Sequence, residues 1–220
     1  MLKNVKGAIF DMDGTLIDSL MMWDVIWDKL GERFLNGKSF RPSDADNKAV
    51  RTMTSKDAMN HIHNVYNIGG SGEELCQAIK DIIFNFYSKE VKLKKGVMEF
   101  LDHCYTQGIK MCIASATDMS LIKTAVEHCE IGKYFLNIFS CAEIGKGKDE
   151  PDIYLKAMDF LGTRIDETCI FEDSHIALNT ARKIGMKTVG IYDKNNYGQD
   201  EIEKIADVYI RDGETLLKLI

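Results

Sequence analysis

The sequence predicts an α/β fold, a doubly wound parallel sheet carrying an inserted helical subdomain, and three observations predict it. Short apolar runs occur at the start of the chain and again beyond about residue 92, each followed by a segment of helical periodicity, which is the pattern of βα units. Between the first run and the next lies a long stretch, to about residue 90, whose apolar residues fall at helical spacing. Each run also ends in polar residues, and in open parallel sheets ligands bind at the carboxyl ends of the strands.

The first run, Val5 to Phe10, reads as a buried strand that delivers Asp11 and Asp13 into a turn marked by Gly14. Taken alone, Asp-x-Asp-Gly fits a strand followed by a plain Asx-type turn as well as it fits a functional site. Ser19 is placed to cap a helix whose apolar face is Leu20, Trp23, Ile26, Trp27 and Leu30, ending near Gly31 or Gly37. Ser55 opens a second helix with Ala58, Met59, Ile62, Val65 and Tyr66 on one side, closed by Gly69-Gly70. A third, after Ser71-Gly72, stacks Leu75, Ile79, Ile82, Ile83 and Phe86.

From Val97 helices and strands alternate. A helix ends at Gly108, a strand runs from Ile109 to Ala114 into Ser115-Ala116-Thr117-Asp118, and a helix from Met119 leads to a short strand near Ile138 to Ser140. Pro151 suits the first helical position before Ile153, Tyr154, Ala157, Met158 and Leu161. A strand from Thr168 to Phe171 terminates in Glu172-Asp173, a helix covers about His175 to Ile184, and Met186 to Tyr192 is a further strand. Asp207 to Ile210 reads as an edge strand and Glu214 to Ile220 as a closing helix. The expected organisation is a Rossmann-like core of residues 1–17 and 92–220, with residues 18–91 as the helical insertion.

A chain of 220 residues with 45% hydrophobic content can bury a sizeable core. Its net charge of −6 speaks against nucleic acid and anionic membranes, which need a basic face, and for a small soluble substrate. Met1 to Lys6 lack the apolar core and cleavage site of a secretory signal, and no apolar run reaches membrane-span length, so the expected location is cytoplasmic. The six cysteines form no C-x-x-C pair and read as reduced core thiols. No pattern specifies an oligomeric state.

Parallel strands would gather Asp11, Asp13, Ser115, Glu172 and Asp173 at one edge, with Lys148 in the loop Gly145-Lys146-Gly147-Lys148 beside them. Two carboxylates about 4 Å apart repel by roughly 4 kcal/mol at an effective dielectric near 20, so such a cluster calls for a cation. Oxygen ligands without His or Cys favour Mg²⁺, which shares its shell with substrate phosphate. Asp11 is then the candidate nucleophile on phosphorus, and Asp13 the acid and base for the leaving alkoxide and attacking water. Ser115 and Lys148 supply a hydrogen bond and a fixed charge to the phosphoryl oxygens, with Ala116 beside them at the same tip. Asp173 would ligate the metal; Glu172 would ligate it or hold a bound water.

DMDGTLIDS, IASAT, GKGKDEPDIY and FEDS, in this order and spacing, resemble the four motifs of the haloacid dehalogenase superfamily. The helical insertion is similar to the cap of its subgroup of phosphoglycolate phosphatase and β-phosphoglucomutase. The resemblance implies a phosphoaspartate enzyme with Asp11 as nucleophile, Asp13 as acid/base, Ser115 and Lys148 as phosphate ligands, and Asp11, the Asp13 backbone carbonyl and Asp173 as Mg²⁺ ligands. The dehalogenase branch generally lacks the second Asp, so Asp13 points to phosphoryl transfer. Ala177 stands where the family commonly has glycine, and Lys95 where it often has proline. Trp23 occupies about the place of the mutase histidine, which favours water as final acceptor. The expected function is a Mg²⁺-dependent phosphatase acting on a small phosphorylated metabolite. The alternatives are a sugar-phosphate mutase and, in another class, a receiver-like phosphoaspartate module, which the inserted subdomain disfavours.

Plainer readings attach to the remaining polar residues. His61 and His63, two apart on one helix, face different sides and read as solvated or packed. Lys89, Lys92, Lys94 and Lys95 read as a solvated linker face, able at most to draw in anions. Trp23 is a core residue or closes the pocket, and Arg51 and Lys56 are candidate substrate contacts because phosphorylated metabolites reward basic groups. The position of Lys148 directly before Asp149-Glu150-Pro151 favours it over Lys146.

Overall fold

Continuous apolar strands can be buried on both faces only in a sheet covered by helices, and the computed structural model has that arrangement. It describes residues 4–50, 53 and 55–220, with the side chains of Trp23, Lys48 and Ser55 outside the described set. In order the elements are β1 (Gly7–Phe10), α1 (Met22–Phe34), α2 (Asp44–Val50), α3 (Ser55–Tyr66), α4 (Gly72–Lys89), α5 (Val97–Thr106), β2 (Lys110–Ser115), α6 (Met119–His128), β3 (Asn137–Ser140), α7 (Cys141–Ile144), α8 (Asp152–Leu161), β4 (Thr168–Glu172), α9 (His175–Lys183), β5 (Lys187–Ile191), α10 (Gln199–Ile205) and β6 (Val208–Ile210). They form two compact units: Met1–Leu20 with Val91–Ile220, and Met21–Glu90.

The first unit is built on a six-stranded, all-parallel sheet of order β3-β2-β1-β4-β5-β6. After β3 the chain crosses back to lay β4 on the other side of β1, so β1 lies at the switch point where a crevice opens between strand ends. Its register sets Phe10 level with Ile113 of β2 and Phe171 of β4. Successive side chains of β1 face opposite layers. Phe10 stacks on Phe171 with ring centroids 4.4 Å apart and meets Phe100 of α5, whereas Ile9 packs with Tyr154, Ala157 and Leu161 of α8 and Leu178 of α9. Truncating Phe10 to alanine would cost about 3–5 kcal/mol, because a fully enclosed ring leaves a cavity that neighbours cannot fill.

The second unit joins α1, α2, α3 and α4 around Ile26, Trp27, Leu30, Ala58, Ile62, Leu75 and Ala78. The Trp27 ring meets Phe40 edge-on and its indole N–H donates to Asn47 at 3.0 Å. Asp46 accepts from Ser43 and Tyr66, both at 2.6 Å, and pairs with His61 at 2.6 Å. His63 pairs with the Ile68 carbonyl, so both histidines are half-buried, hydrogen-bonded groups.

Several expectations are corrected. Ser19 does not cap α1, whose flanking residue is Met21; its hydroxyl turns back to Asp13. The closing helix is only a 3₁₀ turn at Leu216–Leu219. The sequence reading also missed α2, α7 and α10, of which α7 is one turn between the Ser140 cap and left-handed Gly145. The six cysteines are free thiols, four of them buried. No described helix is long and apolar enough to cross a membrane.

Candidate active site

The site grows from the last residue paired beyond β1. The Asp11 amide donates to the Phe171 carbonyl at 2.9 Å, extending the ladder one step and fixing where the carboxylate leaves the sheet. The chain then coils back on itself, with the Leu16 and Ile17 amides both donating to the Met12 carbonyl. This turn needs Gly14: its φ is +77°, and a Cβ there would collide with the Asp173 carboxylate.

Asp11, Glu172 and Asp173 bring one carboxylate oxygen each within 4.8 Å of one another, all three residues buried. Lys148 donates to Asp11 Oδ1 and, at 2.6 Å, to Glu172 Oε1. Lys146, in contrast, pairs with Asp152 at the surface. The second Glu172 oxygen accepts from the Ser174 amide at 2.9 Å, and Asp173 accepts from Thr15 at 3.3 Å and Asn196 at 2.6 Å. Asp13 is turned elsewhere, accepting from Ser19 at 2.6 Å and from Thr117 at 2.7 Å. Ser115 ends β2, is buried, and accepts from the Thr117 amide; Ala116 beside it is exposed.

The electrostatics follow from three carboxylates buried around the Lys148 ammonium, with Lys94 also acting on Asp173. Burial pushes the Asp11 carboxyl well above its ordinary range, Lys148 opposing the shift and Glu172, Asp173 and Asp13 adding to it. Burial, with repulsion from Glu172, pushes Asp173 up to about 7. Burial works against the Lys148 charge, yet Asp11 and Glu172 hold the ammonium well above its usual value. A buried group of oxygen donors, with more negative than positive charge and no sulfur or imidazole ligand in it, fits a hard divalent cation.

The chain matches the family described as haloacid dehalogenase-like hydrolase over residues 8–191. It belongs to that family. The "Phosphorylated carbohydrates phosphatase" of Thermotoga maritima is 22% identical over 213 residues, 96% of this chain and 97% of the relative. The "Probable pseudouridine-5'-phosphatase" of Drosophila melanogaster is 27% identical over 224 residues, 94% and 93% of the two chains. The crystal structure of a "putative beta-phosphoglucomutase" from Thermotoga maritima superposes with a TM-score of 0.84 at 22% identity, covering 98% of each chain. At that identity the likeness is one of fold, and the fold is the doubly wound α/β sheet expected from the sequence.

Within this hydrolase the structure gathers Asp11, Lys148, Glu172 and Asp173 directly, and places Asp13 and Ser115 on neighbouring strand ends, both bonded to Thr117. Lys56 is an exposed residue of α3. Arg51 and the Trp23 side chain lie outside the described residues. The sequence reading missed Thr15, Ser19, Lys94, Thr117 and Asn196. Three of these hydroxyls stand inside the quoted motifs, so a signal existed. Lys94 was visible only as part of a basic run; its ammonium in fact reaches inward to the Gly14 carbonyl at 2.5 Å, the Tyr192 carbonyl at 3.0 Å and Asp193 at 2.8 Å.

Proposed function

We propose that this haloacid dehalogenase-like hydrolase is a Mg²⁺-dependent phosphatase of small phosphomonoesters that works through an aspartyl phosphate on Asp11. The observation that carries the reading is the Asp11 carboxylate at the tip of the central strand, bonded to Lys148 and grouped with Glu172 and Asp173. Asp11 and Asp173 would hold the cation with the Asp13 backbone carbonyl, and Glu172 would ligate it or hold its water. Bound there, Mg²⁺ supplies positive charge to the phosphoryl oxygens and offsets the crowded carboxylates.

Asp11 attacks phosphorus, forming the acyl phosphate O–P bond as the ester P–O bond breaks. Asp13 gives its proton to the departing alkoxide, then takes one from the water that attacks the acyl phosphate, releasing inorganic phosphate and restoring the Asp11 carboxylate. Ser19 and Thr117 fix both oxygens of Asp13, which orients it for those transfers. The Ser115 hydroxyl, the Ala116 amide and Lys148 hold the equatorial oxygens, where charge resides during transfer. Trp23, Arg51 and Lys56 are the sequence's candidates for recognising the leaving group.

Two curated relatives carry names for phosphatases of phosphorylated small molecules, which supports a panel of sugar phosphates, phosphoglycolate and nucleoside monophosphates as the test. Multiple turnover with Mg²⁺, its loss with chelator, and its loss in a folded Asp11→Asn variant are expected. Hydrolysis of p-nitrophenyl phosphate by Asp11→Asn would sink the nucleophile assignment. Isomerisation of a hexose phosphate without phosphate release would assign a mutase instead.

A further inference from the structure

Asp173 is gripped by a side chain from outside the four motifs. The Asn196 amide nitrogen donates to Asp173 Oδ2 at 2.6 Å and to the main-chain carbonyl of the same residue at 2.7 Å. Bonds to both fix the side-chain torsions as well as the position of the strand end. Asn196 is itself anchored: its backbone N–H donates to the Asp193 carbonyl at 3.0 Å, and the same carbonyl accepts from Gln199 at 3.0 Å. Gln199 in turn accepts from Tyr209 of β6 at 2.8 Å, so the loop carrying Asn196 is tied back to the sheet.

We infer that Asn196 is a positioning residue for the cation, presenting the Asp173 carboxylate in one fixed orientation. The inference rests on the reading of Asp11, Glu172 and Asp173 as a Mg²⁺ site. Without the amide, Asp173 keeps the more distant Thr15 contact and its carboxylate is free to turn, so ordering it would be charged against binding. Partners that orient ligands in this way are typically worth about 10–100-fold in metal affinity.

The test is calorimetric titration of Mg²⁺ into the substrate-free protein, comparing the parent with Asn196→Ala, Asn196→Ser and Asp173→Asn. Serine keeps a polar side chain in the loop but is too short to span to the carboxylate, so it serves if the alanine variant folds poorly; melting in chelator checks folding. Both Asn196 variants are expected to bind Mg²⁺ about tenfold more weakly. The Mg²⁺ needed for half-maximal activity should rise in step, with excess Mg²⁺ restoring the rate, a split that a structural lesion does not give. Parent-like affinity in the Asn196 variants, with binding lost in Asp173→Asn, would overturn the role of Asn196 and leave the metal site standing. Undiminished binding in Asp173→Asn would overturn the metal-site reading and this inference with it.

Discussion

Lys148 Nζ stands 2.6 Å from Glu172 Oε1, both side chains withdrawn from water, and the same ammonium also bonds Asp11. One cation thus bridges the tip of the central strand to the end of its neighbour β4. Such a bridge is costly to form and more costly to break, since removing the lysine strands two carboxylates in a medium that solvates them poorly.

Lys148→Met should therefore damage both stability and chemistry. Breaking a buried pair costs about 3–5 kcal/mol where the remaining charge cannot escape. Proton uptake by Asp11 relieves part of this. A carboxyl whose folded value is raised loses its stabilising protonation as pH rises, so the deficit should be larger at pH 8 than at pH 5. Turnover should fall by about 10²-fold or more, the usual effect of removing one group that stabilises transition-state charge. Melting curves at the two pH values and phosphatase kinetics check both parts; unchanged turnover would remove Lys148 from the site.

Metal binding should stabilise the protein in a pH-dependent way. Asp173 is raised from an ordinary value of 3.8 to about 7, so the native state binds more protons than the unfolded chain between those values. The metal-free protein accordingly loses stability as pH climbs through that window. A cation competes with the proton for the same oxygens, so its stabilising effect grows over the same window. At a hundredfold excess over its dissociation constant, Mg²⁺ should contribute about 2.7 kcal/mol. Thermal melts with Mg²⁺ and with chelator at pH 5.5 and pH 8 measure this, and equal shifts at the two values would refute the site's role.

The reach of the sequence is clearest where burial sets the pattern. Ile9 and Phe10 announce a strand because both faces of β1 are covered, and the end of that strand fixes Asp11 against Phe171 through one backbone hydrogen bond. The polar helix α2, Asp-Ala-Asp-Asn-Lys-Ala-Val, carries little apolar periodicity and reads as loop. The contacts around the candidate site residues are the least legible. Thr117 reaches Asp13 across 104 residues and Asn196 reaches Asp173 from a loop without periodicity, so each pairing is a consequence of the completed sheet rather than of local spacing. Lys94 could be told from its exposed neighbours only by the three oxygens that converge on it.

The helical unit should show its own acid transition. Hydrogen bonds from Ser43, Tyr66 and His61, in that order of weight, hold the Asp46 carboxyl down to about 2, below its ordinary 3.8. A depressed folded value stabilises the folded state above the unfolded value, and that contribution fades as pH falls through about 2. Both tryptophans of the chain lie in α1 of the same unit, so their fluorescence reports it. A change between pH 4 and pH 2 that is blunted in Asp46→Asn is expected; identical acid titrations of the two proteins would show that the knot around Asp46 contributes nothing.

Lys94 and Asp193 should prove strongly coupled. The ammonium is 18% exposed and the carboxylate 3%, their atoms 2.8 Å apart, and the lysine's other two bonds go to the Gly14 and Tyr192 carbonyls. Lys94→Met leaves the Asp193 charge buried with the Asn195 amide as a remaining donor, which is too little to replace a cation. The single change should cost about 3–5 kcal/mol, as for other broken buried pairs. Asp193→Asn alone should also destabilise, by stranding the ammonium against three dipoles. In the double variant neither charge is left without its partner, so the losses should fall short of their sum by about 0.5–3 kcal/mol, the range for residues in direct contact. A cycle of denaturant melts over the four proteins reads this directly. Strict additivity would mean that the two side chains act independently and that Lys94 is held by the carbonyls alone, whereas strong coupling would make the loop after β5 and the turn at Gly14 one mechanical unit beneath Asp173.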